Sequence, residues 1–509
     1  MVKRVVKTTL FAAVGLNLAM SCFAQTKQIK LSINPAKTYQ TIENFGASDA
    51  WACQFVGNWP DDKKNKIADL LFSNENNADG SPKGIGLSMW RFNIGAGSAE
   101  QGENSGIRDE WRRAESFLNI DGTYNWQKQA GQVWFLKAAK QRNVPQFLGF
   151  ANSPPVQLTT NGKAYASQGN VNISPEHYTE FATYLAKVVK GLELTTKIKI
   201  NYISPVNEPQ WDWSDGGQEG CPYTNTQIAD VVKALNKVFV ADNIDSKIII
   251  GEAGEIDYLY TKSNKPAKAY QINDFFNSAS PNYLGNLAAV AHSISGHSYF
   301  TTSPMARSIK MRTALADSVA RIKNLSFWQS EYCILGDNAG EINGSRRDLG
   351  IDAALYLASV ISTDLTVANA SAWQWWTAIS AYNYKDGLIY IDKKKTDGNF
   401  YTSKMLWALG NYSRFVKPGA VRVDVTLPDD NLPRPLQVLA FKRGKDAVLV
   451  IVNSNTDDVN IALETQGAKI KFATSYTTSA NDELRPGPVK GNTVKVKARS
   501  VMTVVGKAK

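Results

Sequence analysis

The stretch Tyr202 to Trp213, YISPVNEPQWDW, ends an apolar run with a glutamate set between an asparagine and a proline, and two tryptophans follow within five residues. A second glutamate, Glu331, closes another apolar run in FWQSEYCIL. Two carboxyl groups are what cleavage of a glycosidic bond requires. One stays protonated and donates to the leaving oxygen; the other is ionised and attacks or stabilises the oxocarbenium-like carbon. A like charge nearby helps to raise the acid's pKa. Asn207 offers an amide to a sugar hydroxyl, Pro209 stiffens the exit from the strand, and Trp211 and Trp213 offer flat faces to pyranose rings. NEP alone is a short motif that any loop can contain, and Glu252 and Glu255, in GEAGEID, are rival carboxylates.

Other chemistries find little support. The chain has three histidines, His177, His292 and His297, and no CxxC, HExxH or GxSxG, which removes the usual signatures of metal hydrolysis and of serine triads. Neither a metal nor a cofactor is expected. Thirteen Trp and 20 Tyr are more aromatic surface than a core needs and suit a protein that stacks sugar rings.

The first residues, MVKRVVKTTLFAAVGLNLAMSCFAQ, place Lys3, Arg4 and Lys7 before a short apolar run, as in a secretory signal, with cleavage expected after Ala24. Cys22 follows LAMS, where a lipoprotein signal would carry leucine in place of the alanine, so a secreted or periplasmic protein is favoured over one anchored at Cys22. Removing the leader takes the formal net charge from +11 to +8, and the densest basic run is only Lys393 to Lys395. A solvated face explains that run better than nucleic acid does. No later segment has the length of a membrane span. The partner expected is a polysaccharide substrate, and the sequence leaves oligomeric state open, with a monomer the default. Cys53, Cys221 and Cys333 remain after the leader, an odd number that favours buried thiols over a disulfide framework.

The elements that must position the carboxyl groups are legible as alternating apolar runs and amphipathic helices. Candidate strand ends are IENFGASDAW, GLSMWRFNIG, PQFLGFANSPP, the YISPVNEP run, KIIIGEAGEID, LAAVAHSISGHSYF, LSFWQSEYCIL and NASAWQWWTAIS. Eight such strands separated by helices predict a closed parallel (β/α)8 barrel, with its active site at the carboxyl ends of the strands. Glu208 then ends the fourth strand and Glu331 the seventh, facing each other across the mouth. One helix shows its signals clearly: Ser174 as N-cap, Pro175 in the first turn, Tyr178, Phe181, Leu185 and Val188 on one face, and Gly191 as the stop. After residue 416 the chain becomes short β-rich runs separated by turns, as in a β-sandwich. The expected layout is a signal peptide over 1–24, a strand segment over 25–45 that joins the sandwich, a catalytic barrel over 46–415 and the sandwich over 416–509.

NFGASDAW (44–51) and YISPVNEPQWDW (202–213) resemble glycoside hydrolase family 30, and within it the endo-β-1,6-galactanase-type members. The resemblance covers nearly the whole mature chain. It implies a retaining enzyme with a (β/α)8 barrel and a β-sandwich side domain, Glu208 as acid/base and Glu331 as nucleophile. By the same resemblance, Asn207 contacts the hydroxyl next to the reacting carbon. Arg91 helps to hold the nucleophile ionised, and Tyr299, in GHSYF, hydrogen-bonds to it. Trp376 floors the subsite of the reacting sugar, with Trp373 and Trp375 as alternatives. His297 is a wall residue or a contact. The third strand's tail, ANSPPVQLTTNG, keeps Ser-Pro-Pro but lacks the Trp-Met that often follows it in the family, and no glucuronate-binding set is apparent. The implied substrate is a β-1,6-galactan such as the side chains of arabinogalactan. A β-1,6-glucanase, a xylanase and a glycan-binding protein without turnover are the alternatives. Galactose carries an axial 4-hydroxyl that must find a polar partner when buried; Asp49 and Gln374 are the candidates. Trp51, with Trp211, Trp213 and Trp376, completes a set of stacking faces at the strand ends.

Overall fold

In a computed structural model, which describes residues 28–427 and 436–509, the eight apolar runs form eight parallel strands closed into a barrel. They are β1 (Asn44–Ser48), β2 (Met89–Ile94), β3 (Gln146–Ala151), β4 (Tyr202–Ser204), β5 (Lys247–Ala253), β6 (Val290–His297), β7 (Ser326–Glu331) and β8 (Ala372–Ser380). Closure is made by β8, which pairs with β7 through Trp328↔Ala372 and with β1 through Asn44↔Ala372. The leader and Cys22 lie outside the described residues. Among those residues no helix is long and apolar enough to cross a membrane.

Side-chain alternation sorts each strand. On β2, Met89 enters a cluster inside the barrel with Leu148, Phe150, Ile249 and Trp328, whereas Trp90 and Phe92 join the larger core between barrel and helices. The two-residue period of a strand enforces that split. The helix after β3 runs Tyr178–Thr196, preceded by a 3₁₀ turn at Pro175–His177, and buries Tyr178, Phe181, Leu185 and Val188. Gly191 does not stop it. The glycine sits within the helix because Trp126 packs against it, and a Cβ there would meet the indole at 2.1 Å. The helix ends instead at Lys197, in the left-handed region with φ 61°. The next helix, Asn225–Ala241, starts on a capping box: the Thr224 hydroxyl accepts from the Gln227 amide, and the Gln227 side chain accepts from the Thr224 amide.

Gly387–Ile391 and Phe400–Thr402 extend the barrel sheet beyond β8, and the other nine strands form one sheet curled around its own apolar core, in which Leu31, Ile33, Ile451, Leu463, Val496 and Val504 are buried. The strand Gln28–Thr41 lies inside it, antiparallel to Val421–Thr426 and parallel to Val459–Thr465. This sheet does not stand apart from the barrel. Leu439, Phe441, Val450, Val452 and Val501 belong to the same continuous core as the barrel helices. Across that seam Thr503 donates to the Asn411 carbonyl at 2.6 Å, and Asn411 donates to the Tyr476 carbonyl at 3.1 Å.

Candidate active site

The carboxyl ends of β2, β4, β5, β6 and β7 converge on one buried charge cluster. Arg91 donates to Glu331, to Asn207 Oδ1 at 3.1 Å and to Glu252 at 3.0 Å. His297 lies between Glu208 (Nδ1 to Oε1, 2.8 Å) and Glu252 (Nε2 to Oε2, 2.9 Å). The Tyr299 hydroxyl donates to Glu331 at 3.0 Å. Arg91 and His297 are fully buried, and Phe150 lies beneath the guanidinium with its ring centroid 4.0 Å away. A charge so placed is tolerated only because it is paired and hydrogen-bonded.

Two cations here face three carboxyl groups, so neutrality requires one carboxyl to keep its proton. Burial pushes Glu208 above the ordinary carboxylate range, and contact with His297 offsets only part of that rise. Burial also acts on Glu252, but Arg91 and then His297 outweigh it and hold Glu252 below its usual value. Burial would lower the His297 pKa, yet Glu331, Glu208 and Glu252 together push it up to about 10. With Arg91 and His297 positive, these opposed shifts place the proton on Glu208 and not on Glu252. His297 then donates from both nitrogens and leaves the second oxygen of Glu208 free to present a proton to the cleft.

Backbone strain is present at the same place. Glu208 and Glu252 occupy the left-handed region, with φ 45° and 43°, and the amide of Glu208 donates to the carbonyl of Glu252 at 2.9 Å. Such conformations cost about 1–3 kcal/mol each and persist where the surroundings over-determine them. The turn after Glu208 is held by its own carbonyl, which accepts from the Trp211 amide at 3.2 Å and the Trp213 indole at 3.0 Å.

Above the cluster opens a cavity of about 740 Å³ lined by Asn207, Glu208, Tyr299, Glu331, Trp376 and the loop from Trp211 to Asp215. Of the three tryptophans on β8 only Trp376 faces it. Trp373 donates to Asp364 and Trp375 to the Asp386 carbonyl, both fully buried on the helix side, as alternation along the strand dictates. Trp51 stands edge-on to Trp376, with centroids 5.2 Å apart. Asp49 and Gln374 do not reach the cavity. Asp49 is buried and accepts from the Asn93 amide at 2.8 Å, and burial pushes its carboxyl up to about 8. Gln374 points inside the barrel toward its amino-terminal end, where it donates to Asn44 at 3.1 Å. Both have the right strand and the wrong depth to meet a 4-hydroxyl. Glu252, read from the sequence as a rival carboxylate, lies beneath the cavity as the counter-charge of Arg91 and His297. Glu255 is half-buried, with burial pushing it up to about 7, and is no part of the cluster. Phe300, Leu335 and Gln218 also line the cavity, and nothing in their sequence context marks them for it.

Glu208, His297 and Glu331 each offer a ligand atom within 4.8 Å of the others, the one such trio among the described residues. A cation gains nothing from an imidazole protonated at both nitrogens, so proton transfer, not metal binding, is the chemistry this trio fits.

A closed parallel barrel that brings Glu208 and the arginine-paired Glu331 together from the ends of two strands, under a cavity walled by tryptophan, has the layout of a glycosidase. The sequence places the class more narrowly: residues 28–390 match the O-glycosyl hydrolase family 30 and residues 419–504 the family 30 β-sandwich domain, and the chain belongs to that family. It is 34% identical to a conserved exported protein from Bacteroides fragilis, whose crystal structure covers 94% of this chain and 100% of that one with a TM-score of 0.86. It is 24% identical over 460 residues to an endo-β-1,6-galactanase of Hypocrea rufa, covering 86% of this chain and 84% of that protein. The catalytic domain of a family 30 xylanase C from Talaromyces cellulolyticus shares the fold, at 21% identity and a TM-score of 0.68 over 94% of this chain and 100% of that one.

Proposed function

We propose that the protein is a secreted, retaining β-glycosidase, and that its substrate is a β-1,6-linked galactan such as the side chains of arabinogalactan, cleaved within the chain. The observation that carries the mechanism is the closeness of the two carboxyl groups: an oxygen of Glu208 and one of Glu331 lie within 4.8 Å. That separation belongs with the roughly 5–5.5 Å of retaining enzymes and leaves no room for the water an inverting enzyme places between them. Glu331, which accepts hydrogen bonds from Arg91 and Tyr299, attacks the anomeric carbon as Glu208 passes its proton to the glycosidic oxygen, and the leaving chain departs as an alcohol. Glu208, now a carboxylate, takes a proton from water; the oxygen of that water displaces Glu331 and restores the β configuration. Asn207, tied to Arg91, offers its amide NH2 to the hydroxyl beside the reacting carbon, and Trp376 lies under the ring.

The substrate reading is supported by relatedness to the Hypocrea rufa endo-β-1,6-galactanase over 86% of this chain. A physical reason agrees with it. A β-1,6 link has one more rotatable bond than a β-1,4 link, so its chain loses more entropy on binding, and rigid aromatic faces offset that loss. Trp211, Trp213 and Trp376 supply such faces. Secretion is supported by the leader sequence and by the exported Bacteroides fragilis relative. One screen tests the reading. On purified polysaccharides, activity on de-arabinosylated arabinogalactan is expected to exceed that on β-1,6-glucan and xylan by at least about tenfold, the worth of one well-placed hydrogen bond. Equal activity on xylan or β-1,6-glucan overturns the substrate. An α-anomeric first product in proton NMR overturns retention.

A further inference from the structure

Beyond Trp376 the cleft continues into a second, smaller chamber of about 180 Å³, separated from the first by the Trp376 ring and sharing Gln218 and Leu335 with it. Its walls come from the end of β1, the loop after β2 and the loop after β8. Two of its groups lack the partners that buried polar groups normally find, and a half-buried guanidinium stands beside them. The Asp386 carboxyl is 8% exposed and one of its oxygens is buried with no hydrogen bond. The Trp51 indole nitrogen, on a side chain 6% exposed, is likewise buried and unpartnered. Arg112 forms no ion pair among the described residues; its guanidinium lies over the faces of Trp51 and Tyr382, 5.4 and 5.1 Å from the ring centroids. An acceptor, an indole donor and a guanidinium therefore face one small space.

Glu208 must reach the leaving oxygen, so the leaving chain runs along its own loop, Trp211 to Asp215. The room past Trp376 takes the other end of the substrate. We infer that this chamber is a donor-side subsite for one neutral glycosyl unit, with a sugar hydroxyl donating to Asp386 and others accepting from Arg112 and the Trp51 indole. Neutrality follows from the pairing of charges: a uronate drawn to Arg112 would bring its carboxylate into the same small space as that of Asp386. A sugar bridging the two satisfies both. The inference rests on the glycosidase reading above but not on galactan as the substrate.

The test compares kcat/KM on a linear tetrasaccharide of whichever glycan the wild type cleaves with kcat/KM on an aryl monoglycoside, which is too short to cross Trp376. In Asp386→Ala and in Arg112→Ala the ratio of the two is expected to fall at least about tenfold, and in Asp386→Asn, which keeps an acceptor oxygen, by less. Melting temperatures of the three variants separate a lost subsite from a lost fold. An unchanged ratio in both alanine variants overturns the inference. So does a wild type that prefers a uronate-capped oligosaccharide and loses that preference in Arg112→Ala. A wild type inactive on galactan but active on another β-glycan sinks the substrate reading alone, because the ratio is then measured on that glycan.

Discussion

Two fully buried arginines in this molecule are bound in opposite ways. Arg312 pairs with Asp364 at 2.6 Å, and its other nitrogens donate to the Thr301 carbonyl at 2.8 Å and the Ser298 hydroxyl at 3.2 Å. Asp364 in turn accepts from the Trp373 indole at 2.9 Å. One cation meets one anion, and each side of the pair is hydrogen-bonded. Arg91 meets a site with more carboxyl groups than cations, its Nε has no partner, and Glu252 Oε1 has none either. A closed pair holds helices together; an unbalanced cluster at the rim of a cleft holds a proton ready. The contrast shows that burial of an ion pair does not by itself mark function. Surplus charge and incomplete hydrogen bonding do.

The sharpest way to break the contrast is to remove the proposed nucleophile from the unbalanced site. Glu331→Ala is expected to lower kcat by a factor on the order of 10⁴ or more with the fold retained. Azide should restore part of the turnover and yield an α-glycosyl azide. Ordinary activity in this variant would move the nucleophile elsewhere.

Cutting the chain after residue 415 attacks the balanced site from outside. The helix Ile351–Thr366, which carries Asp364, shares its apolar face with the curled sheet through Leu439, Phe441 and Val452. Truncation is expected to give insoluble protein or a large drop in melting temperature. A soluble, fully active fragment of residues 25–415 would show the sheet to be dispensable.

Exchanging each arginine for methionine sets the two sites side by side. Arg312→Met leaves Asp364 buried without its counter-charge, and should cost about 3–5 kcal/mol in stability while the folded fraction keeps its specific activity. Arg91→Met should lower kcat/KM by at least about 10²-fold, with the smaller effect on stability, because the surplus carboxyl groups beside the cleft can take up a proton. Denaturation curves and kinetics on the same preparations decide it. Equal stability losses with equal activities would erase the distinction.

The smallest effect is in pH. His297 has a raised pKa in the folded state, so the stability it contributes is fully present below the unfolded value near 6.5 and is lost as pH rises through about 10. Wild-type stability should decline across that window, and His297→Asn should lack that part of the slope. For catalysis, the alkaline limb of kcat/KM should lie above the ordinary carboxylate range and vanish in Glu208→Gln, since that limb reports loss of the acid's proton. An unaltered limb in that variant would assign it to another group.

The barrel was legible because each of its apolar runs stops at a polar cluster, and a strand that ends at an active site has that texture whatever its loops do. The curled sheet was legible from alternation. Depth was not. Asp49 and Gln374 sit on the right strands, yet sequence does not say how far a side chain lies below the mouth, and both are taken up by Asn93 and Asn44. Glu252 read as a competitor of Glu331 because a carboxylate looks the same in sequence whether it reacts or neutralises its neighbours. Gly191 looked like a helix stop; only the position of Trp126 shows that it clears space for a ring. Arg112 and Asp386 were out of reach, since they meet across loops with no period to read.

The strand Gln28–Thr41 carries a consequence for the order of events during synthesis. Its neighbours are Val421–Thr426 and Val459–Thr465, about four hundred residues downstream. At about 5–20 residues per second, the ribosome needs roughly 20–80 s to deliver them after the strand itself has emerged. Throughout that interval the strand has no hydrogen-bonding neighbour from its own sheet, and the seam between sheet and barrel cannot close. The final tertiary lock is thus postponed until the last hundred residues of the chain arrive.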